Sequence, residues 1–315
     1  MTTAATTKTT APATAGGQAV TTRRGPSWLK PNPWRRPWIL EGFTWLYLVW
    51  SLVPIVLAVL FSFNSGKSQA VWQGFSLRWY LTDPVLSIAH SNTLQLAVLQ
   101  TLKLSAYTTL IAVPLGVTFA LGINRWRTRT GASFNFVMLL SFVIPELIFG
   151  VAMFFVFTSL FHGIGLGTLA ETLALVTWNV SWPAIIVQAR LATIGDSYSE
   201  AAADLGCNPF QTMRRVMLPL LSPAIFASAI LVFSTVIDDF VIVDLLSNSA
   251  SNTPMSVYIY ATQRGGNGGP ALNALGTIML IMSFVIAIGG YIGYRLMTRG
   301  ERGTSTDALA TIAGS

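Results

Sequence analysis

Along this chain the apolar positions gather into long runs, and neither a strand-like alternation nor a one-sided helical stripe dominates. Six runs are of membrane-crossing length: about 42–63, 102–123, 134–160, 169–190, 220–246 and 272–294. About 20 apolar residues make one helical crossing. Backbone in lipid must satisfy its own hydrogen bonds, so runs of this kind predict helices. The expected fold class is an all-α membrane protein, a bundle of six transmembrane helices. Composition adds to this, with 52% hydrophobic and 10% charged residues in 315,. Tryptophan and tyrosine near run ends (Trp45, Trp79, Trp126, Tyr291, Tyr294) suit the membrane–water interface,.

The pattern divides the chain into a Thr/Ala-rich, then basic, tail over 1–38, a membrane domain over 39–303 and a polar tail over 304–315. The first tail is too polar to fold alone and is expected to be disordered. It is also too long for the n-region of a cleaved signal peptide. Basic residues orient the spans. With a cytosolic N-terminus, the inside segments carry Lys8, Arg23, Arg24, Lys30, Arg35, Arg36, Arg125, Arg127, Arg129, Arg190, Arg214, Arg215, Arg295, Arg299 and Arg302. The outside segments carry Lys67, Arg78 and Arg264, and Lys103 ends the second run. Both termini and the loop 196–219 are therefore expected in the cytosol. Anionic lipid at that face accounts for the net charge of +7 without a nucleic-acid partner,.

The loop Asp196–Pro219 concentrates polar chemistry in an otherwise apolar chain. Ser197-x-x-Glu200 reads as a capping box, Gly206 as a helix stop, and Asn208-Pro209 as a restart that Pro219 ends,. Spans on both sides leave no room for a DNA duplex to dock on it as on a helix-turn-helix. Glu200-Ala201-Ala202, Gly206 and Leu218-Pro219 resemble the EAA motif of membrane subunits of ATP-binding-cassette (ABC) importers. The resemblance implies that Glu200, Ala201, Ala202, Gly206, Leu218 and Pro219 couple the chain to a separate ATPase subunit.

Other motifs narrow the chemistry. Gly66-Lys67-Ser68 is no phosphate-binding loop, because the required first glycine falls on Phe61,. The single Cys207 precludes an internal disulfide, and His90 and His162 lack neighbouring ligands, so no metal site is expected,. Pro54, Pro114, Pro145, Pro183 and Pro223 permit kinks,. Gly289 and Gly293 are spaced for close helix contact,.

A charged side chain at the membrane centre costs about 2.5–3.5 kcal/mol on insertion scales, which makes intramembrane acids candidate functional residues. Glu146, Asp238, Asp239 and Asp244 fall within runs, opposed only by Lys103. The missing positive charge is expected from a cationic substrate or from a basic side chain of a partner. Adjacent helical residues point about 100° apart, so one of Asp238 and Asp239 should face the route and the other a neighbouring helix. Asp244 reads either as part of that route or as an exposed acid at its outer mouth.

Over about residues 40–300, Pro145-Glu146, Asp238-Asp239-Phe240-Val241-Ile242, Thr253-Pro254, Tyr258-Ile259-Tyr260 and Asn273-Ala274-Leu275 resemble the spermidine/putrescine branch of ABC importer permeases. The similarity is to the second-permease type of that branch. Gly265, Gly266, Gly268 and Gly269 depart from its pattern, where the binding protein is expected to dock. The resemblance implies a type I importer in the bacterial inner membrane. Its expected partners are a second homologous permease, two ATPase subunits, an extracytoplasmic solute-binding protein, a polyamine substrate and membrane lipid. ATP and Mg are expected on the ATPase, with no cofactor on this chain. Other readings are an ABC permease for ferric ion, an amino-acid derivative or a sugar, an ion-coupled secondary transporter, and a scaffold.

Overall fold

The computed structural model describes residues 38–69, 71–125, 129–161, 163–249, 252–265 and 269–313, without the side chains of 39, 129, 130, 132 and 297–313. The expected tail lies, but for Trp38, outside the described residues, as do His162 and the glycine-rich 266–268. The chain divides into two units, one ending at Val53 and one starting at Pro54. The described part of the first is the helix from Trp38 to Val53, whose large side chains, Trp45, Leu46 and Trp50 among them, are exposed. That helix is the start of α1 (Trp38–Ser62), whose last residues, from Pro54, belong to the second unit.

The regular elements of the second unit are helices, apart from one isolated antiparallel bridge between Asn64 and Phe75, among the described residues. The unit comprises α2 (Asn92–Arg125), α3 (Arg129–Leu140), α4 (Glu146–Phe155), α5 (Thr168–Asn179), α6 (Ser181–Ile194), α7 (Ser197–Asp204), α8 (Pro209–Thr212), α9 (Leu218–Asp238), α10 (Val241–Leu246), α11 (Met255–Arg264) and α12 (Pro270–Ala313). Among the described residues five stretches are long and apolar enough to cross a membrane: Leu40–Ser62, Asn92–Arg125, Thr168–Ile194, Pro209–Asp238 and Pro270–Leu296. The third apolar run, 134–160, is not one helix. It breaks over 141–145, because Pro145 donates no amide hydrogen and disfavours helical backbone in the residue before it,. The run 220–246 likewise breaks after Asp238.

Along α2, Lys103 and Arg125 are about 33 Å apart, close to the thickness of a bilayer's hydrocarbon core. The first eleven residues of α2 extend beyond Lys103. The buried face of α2 carries a row of small or short side chains at helical spacing, Ala97, Thr101, Ser105, Thr108, Ala112, Gly116 and Ala120, beside larger ones such as Leu94, Gln100 and Leu104. In lipid the hydrophobic effect gives helices no reason to associate, so close backbone approach through small residues has to supply the packing. At Gly116 the approach is tight, since a β-carbon would stand 2.6 Å from Pro183 Cγ and 2.7 Å from the Val180 carbonyl oxygen. Against this face pack α5, α6 and α9, with Leu175, Val187, Leu221 and Val232 fully buried among them. Contact between α12 and α9 runs through Gly290 on Ile230 and Gly293 on Phe226, whereas Gly289 faces open space. Of the expected pair, Gly293 makes the contact and Gly290 stands in place of Gly289.

Residues 63–69 and 71–91 form a stapled segment at the Asn92 end of α2. The Asn64 side chain donates to the carbonyls of Ser68 and Val71 (3.0 and 2.9 Å) and accepts from the Gln73 amide (2.8 Å). Trp79, 1% exposed, donates its indole hydrogen to the Asn64 carbonyl at 2.6 Å. The amides of Leu86 and Val85 hold the Asp83 carboxyl below its ordinary range, and Arg78, paired with it at 2.9 Å, lowers it further. A depressed carboxylate stabilises the fold above its unfolded pKa and stops doing so as pH falls through the folded value. Amide protection over 77–91 should therefore be flat from neutral pH down to the ordinary aspartate range and decline below it. Hydrogen exchange measured across that window checks this, and Asp83→Asn should show the reduced protection at every pH.

Candidate functional site

Both breaks in the apolar runs place an acid at the start of a half-helix. Pro145 is extended (φ −60°, ψ 132°), and Glu146 opens α4 in its first turn. Asp239 is extended (φ −61°, ψ 126°) between α9 and α10. The carbonyl freed at this second break is satisfied by the Ser256 hydroxyl at 2.7 Å. Acids at helix starts are stabilised by the unsatisfied amides and the dipole there. Accordingly the amides of Ile242 and Val243 point to the Asp239 carboxyl, and the Glu146 carboxyl stands against it. Side by side, α4 and α10 touch at Gly150 and Leu245.

The structure thus brings together Glu146, half-buried, and Asp239, 9% exposed. Asp239 Oδ1 is buried and has no hydrogen-bond partner. Two adjoining carboxyls with an unsatisfied oxygen form a centre that a cationic donor would complete. Asp238 and Asp244 are both exposed and do not join the pair. The helical 100° divergence does not apply, because Asp239 lies beyond the end of α9 in extended backbone; Asp238 is exposed and Asp239 is buried.

One intramembrane acid escaped the sequence reading. Glu171, inside the run 169–190, is wholly buried in the first turn of α5. Gln100 of α2 donates to its Oε2 at 2.9 Å. The acids within the apolar runs therefore number five, not four. The signal was a carboxylate at the third position of an apolar run.

The polar loop forms two helices joined by a glycine turn. Asp196 precedes α7, Ser197 is its first helical residue, and no side chain caps this helix, so the expected Ser197–Glu200 capping box does not form. The Ser199 hydroxyl donates instead to the Asp196 carbonyl at 2.7 Å. Beyond α7, Gly206 sits at φ 80°. The Cys207 amide bonds the Ala202 carbonyl (3.0 Å) and the Gly206 amide bonds the Ala203 carbonyl (2.9 Å), a Schellman turn,. Asn208 and Gln211 then exchange the two bonds of a capping box, at 2.8 and 3.0 Å.

Pro219 does not end this helix, which continues from Pro209 to Asp238. A wide turn over Met213–Met217, closed by the Leu218 amide on the Met213 carbonyl, precedes the proline and absorbs its missing donor,. Of the loop residues singled out, Ala202 is buried, and Glu200, Ala201, Gly206, Leu218 and Pro219 are exposed. Beside them a cavity of ≈ 570 Å³ is lined by Leu121 and Arg125 of α2 and by Asp196, Glu200, Cys207 and Met213. Leu205 and Phe210, 86% and 72% exposed, project from the turn.

Comparison with known proteins places this arrangement. The chain is similar to the putrescine transport system permease protein PotI of Escherichia coli K12, 33% identical over 276 residues, covering 86% of this chain and 93% of that one. It is similar to the spermidine/putrescine transport system permease protein PotC of the same organism, 28% identical and covering 83% and 96%. In fold it is similar to a bacterial ABC transporter involved in alginate import, with TM-score 0.66 at 18% identity over 84% of this chain and 97% of that one. Residues 112–305, which hold the carboxyl pair and the loop, match the family described as binding-protein-dependent transport system inner membrane component. The chain belongs to that family.

Proposed function

We propose that this chain is the permease subunit of an ATP-driven importer of polyamines, spermidine or putrescine, with Glu146 and Asp239 on the substrate route. The observation that carries the reading is the facing Glu146–Asp239 pair, with its unsatisfied oxygen, at the junction of two half-helices. An ammonium group meets both carboxyls with charge-assisted hydrogen bonds in a low-dielectric setting, and a neutral solute cannot. Asp238 and Asp244 lie on exposed faces, where they meet the cation on the side that a second permease covers. The names of PotI and PotC support the substrate class.

In this reading Glu200, Ala201, Ala202, Gly206, Leu218 and Pro219 form the surface that a separate ATPase engages, with both termini on the same cytosolic side. Exposed Leu205 and Phe210 give that surface apolar anchors. No phosphate-binding G-x-x-x-x-G-K-[ST] occurs in the chain, in keeping with ATP and Mg bound by that separate subunit,. A solute-binding protein delivers the polyamine to the opposite end of α2, ATP-driven closure opens that side, and hydrolysis resets it.

The test is uptake of labelled putrescine and spermidine in cells deleted for the gene and then restored, with a labelled neutral sugar as control. Loss of polyamine uptake alone, recovered on restoration, is expected. Unchanged polyamine uptake with loss of a different solute overturns the substrate and keeps the permease.

A further inference from the structure

Glu171 is fully buried, so it touches no substrate, yet it lies where three helices of the second unit meet. The Gln100 side-chain amide spends both hydrogens here, one on Glu171 Oε2 (2.9 Å) and one on Thr168 Oγ1 (2.8 Å). These bonds tie α2 to the first turn of α5. The neighbouring Thr101 hydroxyl accepts the Met255 amide at 2.9 Å and fixes the first residue of α11. On its other side the start of α5 holds the end of α10: Asn248 donates to the Leu166 carbonyl at 2.5 Å, and Asn252 braces Asn248 at 2.7 Å.

What this polar knot anchors is α10, only six residues long. Its far end is the break at Asp239, and its flank rests on α4, the helix that Glu146 opens. A rod of about 9 Å held at one end transmits any displacement of that end to the other with little loss. An apolar side chain at position 171 fills the volume without the desolvation cost of a carboxyl, so packing alone does not call for an acid there. The remaining oxygen, Oε1, stands beside the Ser247 hydroxyl at the α10 terminus without a hydrogen bond of good geometry.

We propose that Glu171, clamped by Gln100, is a positioning residue for the Glu146–Asp239 site: it fixes the outer end of α10 and thereby the separation of the two carboxyls. This rests on the proposed role of that pair in the substrate route. Two readouts keep the two ideas apart. The first is hydrogen exchange of residues 240–248 in the full chain reconstituted in nanodiscs, which needs no substrate. The second is the concentration dependence of putrescine uptake in cells.

Glu171→Leu should raise exchange over 240–248 and raise the uptake KM about tenfold, the worth of one hydrogen bond to a charged group, with maximal rate nearly unchanged. Glu171→Gln keeps an acceptor for Gln100 and should match the parent in both. Gln100→Asn, one methylene short of its partners, should reproduce the Leu phenotype in a fold that tolerates it, so misfolding of the Leu variant does not decide the matter. Parental exchange over 240–248 in Gln100→Asn, or a fall in maximal rate with KM unmoved, overturns the proposal. Altered exchange in a chain whose parent moves no polyamine supports the positioning role and removes only the substrate.

Discussion

Asp239→Asn and Glu146→Gln should each lower polyamine uptake about 10- to 150-fold at limiting substrate, the range for losing a hydrogen bond to a charged group at about 1.5–3 kcal/mol. Both substitutions keep size and an acceptor oxygen. In Asp239→Asn a side-chain oxygen still faces the amides at the start of α10, so the chain should reach the membrane in parental amounts,. The two effects should not add. Either change alone leaves one carboxylate, and the double variant should be little worse than the worse single, because the ammonium needs both groups at once. Asp238→Asn and Asp244→Asn, on exposed faces, should cost less,. Labelled uptake at several concentrations, normalised to chain in the membrane, checks the order. Equal losses at all four positions would mean a diffuse negative field, not a seat at the pair.

Much of this architecture was legible from hydrophobicity. Five of the six apolar runs correspond to helices long enough to span, because run length is a direct consequence of bilayer thickness,. The breaks were harder to see. Averaged over a span, hydropathy stays high across both Pro145-Glu146 and Asp238-Asp239, yet these interruptions build the site. Pro145 carried a local reason, its effect on the preceding residue. Asp239 carried none, since what stabilises its extended backbone is the Ser256 hydroxyl, seventeen residues on.

Two further residues depart from the simplest local rule, for different reasons. Pro219 alone reads as a stop, but the wide turn just before it, Met213–Met217, supplies the bonding pattern in which a proline does no harm. Glu171 was passed over because its partner Gln100 is 71 residues away and nothing in its neighbourhood announces the bond. Gly206 and Asn208, whose roles depend only on near neighbours, were read correctly. The acids that matter most are thus those whose environment is assembled from several helices, and composition cannot rank them.

Gly206→Val should abolish most transport while leaving the apolar helices in place. At φ 80° an L-residue pays about 1–2 kcal/mol, more when β-branched, which shifts the turn's equilibrium about 5- to 30-fold or further,. The turn has little to oppose that cost. Glu200, Ala201 and Gly206 are exposed, and α7 and α8 bury one described residue each, Ala202 and Thr212. Losing the Schellman bonds from Cys207 and Gly206 frees α7 from α8 and scatters Leu205 and Phe210, the apolar residues that project together from the turn. Gly206→Asn separates conformation from chemistry, because asparagine enters the left-handed region far more readily than valine. The Asn variant should transport within a few-fold of the parent, while the Val variant fails and no longer retains the ATPase on co-purification. If Val transports like the parent, the turn is not the coupling element. If Asn fails as badly as Val, a β-carbon at this position is itself the obstacle, and since none of the described residues comes within 4 Å of one, the obstacle must be a docked partner.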